Sequence, residues 1–146
     1  MKFFLFAAYL AAFPALAFAE VVVTEPWARA SILTSRPGAA YLTLVSDTDD
    51  RLLSATTPAA GHVMIHASGT DASGVTRMIH LDALDVPTGQ AVRFAPGGMH
   101  LMLMNLAGKL DEGANFPLTL TFEVAGEVTV EVPILGVAAS GPEAER

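Results

Sequence analysis

The last third of the chain alternates apolar and polar positions with a period of two. In PLTLTFEV the apolar Leu118, Leu120, Phe122 and Val124 are separated by Thr119, Thr121 and Glu123, and in EVTVEVPIL Val128, Val130, Val132 and Ile134 alternate with Thr129 and Glu131. A strand turns successive side chains to opposite faces, so this period predicts two half-buried strands. The Ala125-Gly126 step between them suits a tight hairpin, because glycine takes positive φ without a Cβ clash. Shorter runs of the same kind fall at 21–23, 40–45, 52–55, 62–66, 75–80, 91–94 and 100–104. Turn-forming clusters divide them, at Arg36-Pro37-Gly38, 46–50, 58–61, 87–89 and Pro96-Gly97-Gly98. No stretch carries a convincing amphipathic helical period. About seven to nine short strands at this spacing predict an all-β fold, a single-domain antiparallel β-sandwich of Greek-key type.

The two ends depart from this pattern. Lys2 precedes an apolar run from Phe3 to Leu16, and Ala17-Phe18-Ala19 is a small-x-small cleavage site, so residues 1–19 read as a secretory signal. Pro14 interrupts the run, which is also short for a membrane span, so the expectation is an exported, periplasmic protein beginning at Glu20 with no span in the mature form. The 127 residues that follow position 19 suit one domain with a core of its own, placed here at 20–136. The remainder, 137–146, has no periodicity and no large apolar residue after Val137, and is expected to be a flexible tail.

Charge and cysteine usage remove several functions. The formal net charge is -7 and no basic cluster is present to follow a phosphate backbone, which excludes nucleic acid as a partner. Cysteine is absent although export would permit disulfides, so the core alone must hold the fold. The same absence strikes thiolates from the possible metal ligands and leaves histidine, methionine and carboxylates.

Histidine and methionine are themselves confined. Beyond Met1, every methionine (Met64, Met78, Met99, Met102, Met104) and every histidine (His62, His66, His80, His100) lies between positions 62 and 104, with PGGMHLMLMN the densest stretch. Strand geometry puts residues two apart on one face, so His100 and Met102 project together, as do His62, Met64 and His66, and Met78 with His80. The strands at 62–66 and 75–80 are joined by ASGTDASG, a loop expected to form a hairpin that brings His66 near Met78. Taken singly, Met64 and Met104 read as core filler, Met99 as a rim residue, and His62 and His80 as solvated surface histidines. The pairing of His100 with Met102 on one face is what favours a metal site. Trp27 and Arg29 fit either a partner surface or a buried tryptophan beside a salt bridge.

In these residues the chain resembles the periplasmic PCu(A)C copper-chaperone family, whose motif runs His-x10-Met-x21-His-x-Met. Residues 79 to 99 separate Met78 from His100 by the required 21, and His100-Leu101-Met102 supplies His-x-Met. EPWARAS, GAAYLTLVSDTDDRLLSATTPAAGHVMIH, PGGMHLMLMNL and PLTLTFEVAGEVTVEVPI resemble the family's flanking segments in order. One spacing departs: residues 67 to 77 put eleven positions, not ten, between His66 and Met78. An extra residue is absorbed cheaply in the ASGTDASG loop, whereas inside a strand it would turn Met78 away from His66. Thr70 and Thr76 stand where family members often carry further methionines. His80 is not expected in the motif and is a reserve ligand.

The resemblance implies a cupredoxin-like sandwich that binds copper(I) through His66, Met78, His100 and Met102. It further implies a monomeric carrier, not an enzyme, delivering the ion to the copper site of a respiratory oxidase subunit, in company with a Sco-type thiol protein. The donor set agrees in its chemistry: two thioethers and two imidazoles are soft and neutral, suit Cu(I), and offer little to Ca²⁺ or Mg²⁺. Without a thiolate the site is not a blue-copper centre. Some relatives take up Cu(II) on a His- and Met-rich C-terminal extension, but nothing after Val132 carries either residue, so only a Cu(I) site is expected. Two other classes remain. A metal-free immunoglobulin-like module of the cell envelope explains the strands but not the confined donors, and catalysis lacks any visible Ser/His/Asp arrangement.

Overall fold

A computed structural model describes residues 18–142, so most of the expected signal segment and the last four residues of the expected tail lie outside the described residues. The described residues form ten strands: β1 (Val21–Arg29), β2 (Gly38–Ser46), β3 (Asp50–Thr56), β4 (Ala60–Thr70), β5 (Thr76–Leu81), β6 (Leu84–Val86), β7 (Val92–Arg93), β8 (His100–Leu106), β9 (Asn115–Phe122) and β10 (Gly126–Leu135). Their order is β5-β4-β8-β2-β1-β10-β9-β3-β6, with β7 beside β2. No helix among the described residues is long and apolar enough to cross a membrane.

The order divides into two layers where β10 changes partners. Residues 126–133 of β10 pair with β9, whereas Ile134 and Leu135 pair with Ala28 and Arg29 of β1. That last pairing is parallel; the expected antiparallel arrangement holds for every other strand pair. Leu42, Leu44, Leu101 and Leu103 of the first layer and Leu52, Leu118, Leu120, Phe122 and Val132 of the second are buried in one core. Burying each such side chain stabilises the fold by about 1.5–3 kcal/mol, which is how a chain without disulfides closes its sandwich.

The alternating segments form a hairpin as expected, with one difference. Val124 is 58% exposed, because it sits in the turn and not in the strand. Gly126 takes φ 76° where the chain re-enters the sheet. Asp50, 5% exposed, holds that turn from β3: its carboxylate accepts from the backbone N–H groups of Val124 and Ala125, each at 2.9 Å, and of Arg51 at 2.8 Å. Three donors on one ionised acceptor make a strong buried fastening.

Three features were not apparent from periodicity. The short β6 breaks no pattern of its own, and β4 runs on to Thr70 through Ser and Gly residues whose composition predicts a loop. β1 extends to Arg29 because one extra residue is accommodated between Thr24 and Trp27, at Glu25 (φ 50°) and Pro26. A bulge is where a strand tolerates proline. The extra residue reverses the alternation and stacks Trp27 on Tyr41, with ring centroids 4.5 Å apart. Trp27 is therefore a buried structural residue. Arg29 lies over Tyr41 at 5.9 Å and donates from Nε to Ala139 O at 2.8 Å, which fastens the chain three residues into the stretch expected to be loose.

Candidate metal centre

The centre is built on the outer face of the first layer. On β8, Leu101 and Leu103 point into the core, so the period of two sends His100, Met102 and Met104 the other way. β4 pairs with β8 so that His66 stands opposite His100, Met64 opposite Met102 and His62 opposite Met104. β5 pairs with β4 so that His80 stands opposite His66 and Met78 opposite Ser68. All four residues of the motif share this face. The turn at 71–75 joins the two strands: Asp71 Oδ1 accepts from Ser73 N, Ser73 Oγ and Val75 N at 3.0, 2.6 and 3.0 Å, and Gly74 takes φ 84°. β4 and β5 pair in unbroken register, from Ile65 opposite Leu81 to Thr70 opposite Thr76.

Within the face the donors are not equivalent. His66, His100 and Met102 are immediate neighbours; the His66 and His100 rings are 5.4 Å apart and edge to face. Met78 belongs to the far side of His66. Two inter-strand steps and four residues of strand put its Cα about 16 Å from that of Met102. It is 59% exposed, and the Ser68 hydroxyl donates toward its Sδ at 4.0 Å. His80, expected at the margin, stands directly opposite His66 with ring centroids 6.0 Å apart, and its Nε2 is engaged by Asp82 Oδ1 at 3.3 Å. His80, His66 and His100 thus form a row across three strands. No group of three His, Asp or Glu residues among the described residues is gathered as a metal cage.

Two details set the state of the His66 and His100 rings. Pro96 and Gly97 (φ 83°), closed by Gly98 N–H to Ala95 O at 2.9 Å, have the make-up of a type II turn. That turn sets Gly98 O at 3.2 Å from Nδ1 of His100, which is 6% exposed. If Nδ1 carries the proton it donates to that carbonyl, and the Nε2 lone pair is left for a ligand; this is the usual outer support of a metal-bound imidazole. His66 has the complementary property. Its Nδ1 is buried without a hydrogen-bond partner, a costly state for a polar atom. Burial first, then the His100 and His80 imidazoles, push the His66 pKa below its ordinary value, so the ring stays neutral and able to donate a lone pair.

Met64, Met102 and Met104 are only half-buried and none packs against the central core; among the described methionines Met99 does. Reading Met64 and Met104 as core filler was therefore wrong in place: they lie on the outer face with the histidines. The pairing of His62 with Met104 was not foreseen, because it depends on which residues of β4 and β8 face each other. Sequence periodicity within one strand does not supply that register.

A β-sandwich that presents thioethers and imidazoles from the outside of one sheet is the class of domain defined by this fold and face. The sequence profile of the LpqE-like lipoprotein family matches residues 21–134. A Leifsonia xyli protein named as a lipoprotein, Lxx21020, is 31% identical over 83 residues, 57% of this chain and 50% of that one; the chain thus matches half the length of this relative. Among solved structures, the apo PCuAC domain of PmoF2 superposes with a TM-score of 0.70 at 28% identity, covering 86% of this chain and 97% of that one. The copper(I) form of DR1885 from Deinococcus radiodurans gives 0.58 at 27%, covering 86% and 81%. A copper-bound form of the PmoF2 domain gives 0.68 at 27%, covering 82% and 96%. The chain belongs to the LpqE-like family, which is the PCuAC family.

Proposed function

We propose that this protein is a copper(I) carrier of the periplasm, not an enzyme, which holds one ion on the outer face of the β4–β8 pair and passes it on. His66, His100 and Met102 are the inner ligands, and Met78, whose Cα lies about 16 Å from that of Met102 in this sheet, becomes the fourth when the exposed β5 edge folds over the ion. The observation that carries the reading is the unpartnered, buried Nδ1 of His66 beside a His100 whose own Nδ1 is occupied by Gly98 O. Such a pair offers imidazole lone pairs to a shared ligand. Copper-bound PCuAC structures at 27% identity support copper as that ligand.

Four neutral donors leave a Cu(I) complex with one positive charge, which is less costly to half-bury than a divalent ion. Thioethers bind Cu(I) without the charge of a thiolate, so a thiolate-bearing acceptor outcompetes them, as delivery requires. The exposure of Met78 and its place at the sheet edge give an acceptor a side from which to enter. The acceptor proposed is a respiratory oxidase copper site, reached directly or through a Sco-type thiol protein. Residues 1–19 act as the export signal and 20–136 as the copper-binding body.

Anaerobic titration of the purified protein with Cu(I) against a chromophoric chelator tests the reading. It predicts tight uptake of a first equivalent with perturbation of His66, His100 and Met102. Failure to compete with the chelator, or uptake that leaves those residues unperturbed, would contradict it and favour a metal-free envelope module.

A further inference from the structure

The donor face continues beyond the site just described. Past the Met64–Met102 rung, His62 of β4 stands directly opposite Met104 of β8. Met64 lies two residues from His62 on the same face and diagonal to Met104. This repeats the local relation of the inner ligands, in which His66 faces His100 and Met102 lies two residues on from one and diagonal to the other. Directly opposed side chains have Cβ atoms about 4.5–5.5 Å apart and diagonal ones about 7–8 Å or less, within reach of the long methionine and imidazole groups.

None of the three is spent on packing. His62 is exposed, and Met64 and Met104 are half-buried but outside the set that packs against the central core. Their donor set, one imidazole and two thioethers, is again neutral and soft, the chemistry that selects Cu(I) over hard cations. We infer that His62, Met64 and Met104 form a second, more exposed Cu(I) position. It lies about 13 Å along the strands from the His66–His100 rung, with Met102 between the two positions. The position extends the reading of this face as a copper carrier to residues which that reading does not use. It gives the protein capacity for a second ion, or a staging point through which an ion enters or leaves the inner site.

The experiment is an anaerobic titration with Cu(I), supplied as its acetonitrile complex and followed by the ε-methyl signals of the methionines and the ring signals of the histidines. The first equivalent is expected to move His66, His100 and Met102, and the second to move Met64, Met104 and His62. The double variant H62Q/M104L is expected to keep the first equivalent and to bind the second at least about tenfold more weakly, as loss of donors dictates. Saturation of the wild type at one equivalent with Met64 and Met104 unmoved would overturn the inference, as would an unchanged second equivalent in the double variant. Copper that moves Met64 and Met104 while His66, His100 and Met102 stay still would support this position and refute the inner one.

Discussion

Met102→Leu separates the ligand role of this residue from its structural one. Met102 is half-buried on the outer face, opposite Met64 on one side and Ala39 on the other, and is outside the set that packs against the core. Leucine has nearly the same volume, so the substitution should cost the fold less than about 1.5 kcal/mol. It removes one of four donors outright. Changing a mere outer-shell partner of a metal ligand lowers affinity about 10–100-fold, so losing the sulfur itself should reach the upper end, about 100-fold or about 2.8 kcal/mol. The assay is chelator competition for Cu(I) under anaerobic conditions, with a urea melt of the apo protein beside it. A Kd within about threefold of the wild type, with the melt unchanged, would refute the assignment of Met102 as a ligand. A collapse of the melt midpoint would refute the premise that its side chain lies outside the core.

Three further outcomes are expected. Asp50→Ala should lower the unfolding free energy in urea by about 2–4 kcal/mol, because three backbone N–H groups lose an ionised acceptor, while Cu(I) affinity stays near the wild-type value. His66 has a folded pKa below its unfolded value near 6.5, so between the two the unfolded chain binds more protons and stability rises with pH; acidification through this window should destabilise the apo protein, and His66→Gln should flatten the slope of melts taken from pH 7.5 to 5. Copper affinity should fall over the same descent as protons compete for the His66 imidazole. His80→Gln should weaken Cu(I) by no more than about threefold in chelator competition, because His80 is engaged by Asp82, whereas His100→Gln should weaken it by at least about tenfold.

The strands and the shared face were legible because both follow from a period of two. Leu118, Leu120 and Phe122 are buried where the alternation places them, and His100 and Met102 project together for the same reason. The hairpin at Gly126 was readable from its turn chemistry. What lay beyond reach was set by contacts between distant segments. The row of His80, His66 and His100 depends on the joint register of β4 with both neighbours, and the Asp50 fastening of the 123–125 turn links residues more than seventy positions apart. The bulge at Glu25 and Pro26 reversed the side of Trp27, a change that simple alternation does not anticipate. The β4–β5 hairpin keeps Met78 on the face of His66, with the Asp71 turn between the two strands.

The central claim is that copper(I) is held by sulfur and nitrogen together, on the face shared by His66, Met78, His100 and Met102. X-ray absorption at the copper edge of the protein loaded anaerobically with one equivalent tests it directly. The account predicts two sulfur neighbours near the usual Cu–thioether distance and two imidazole nitrogens, with one sulfur lost in Met102→Leu. A shell of nitrogen and oxygen alone, or a sulfur count unchanged in that variant, would contradict it.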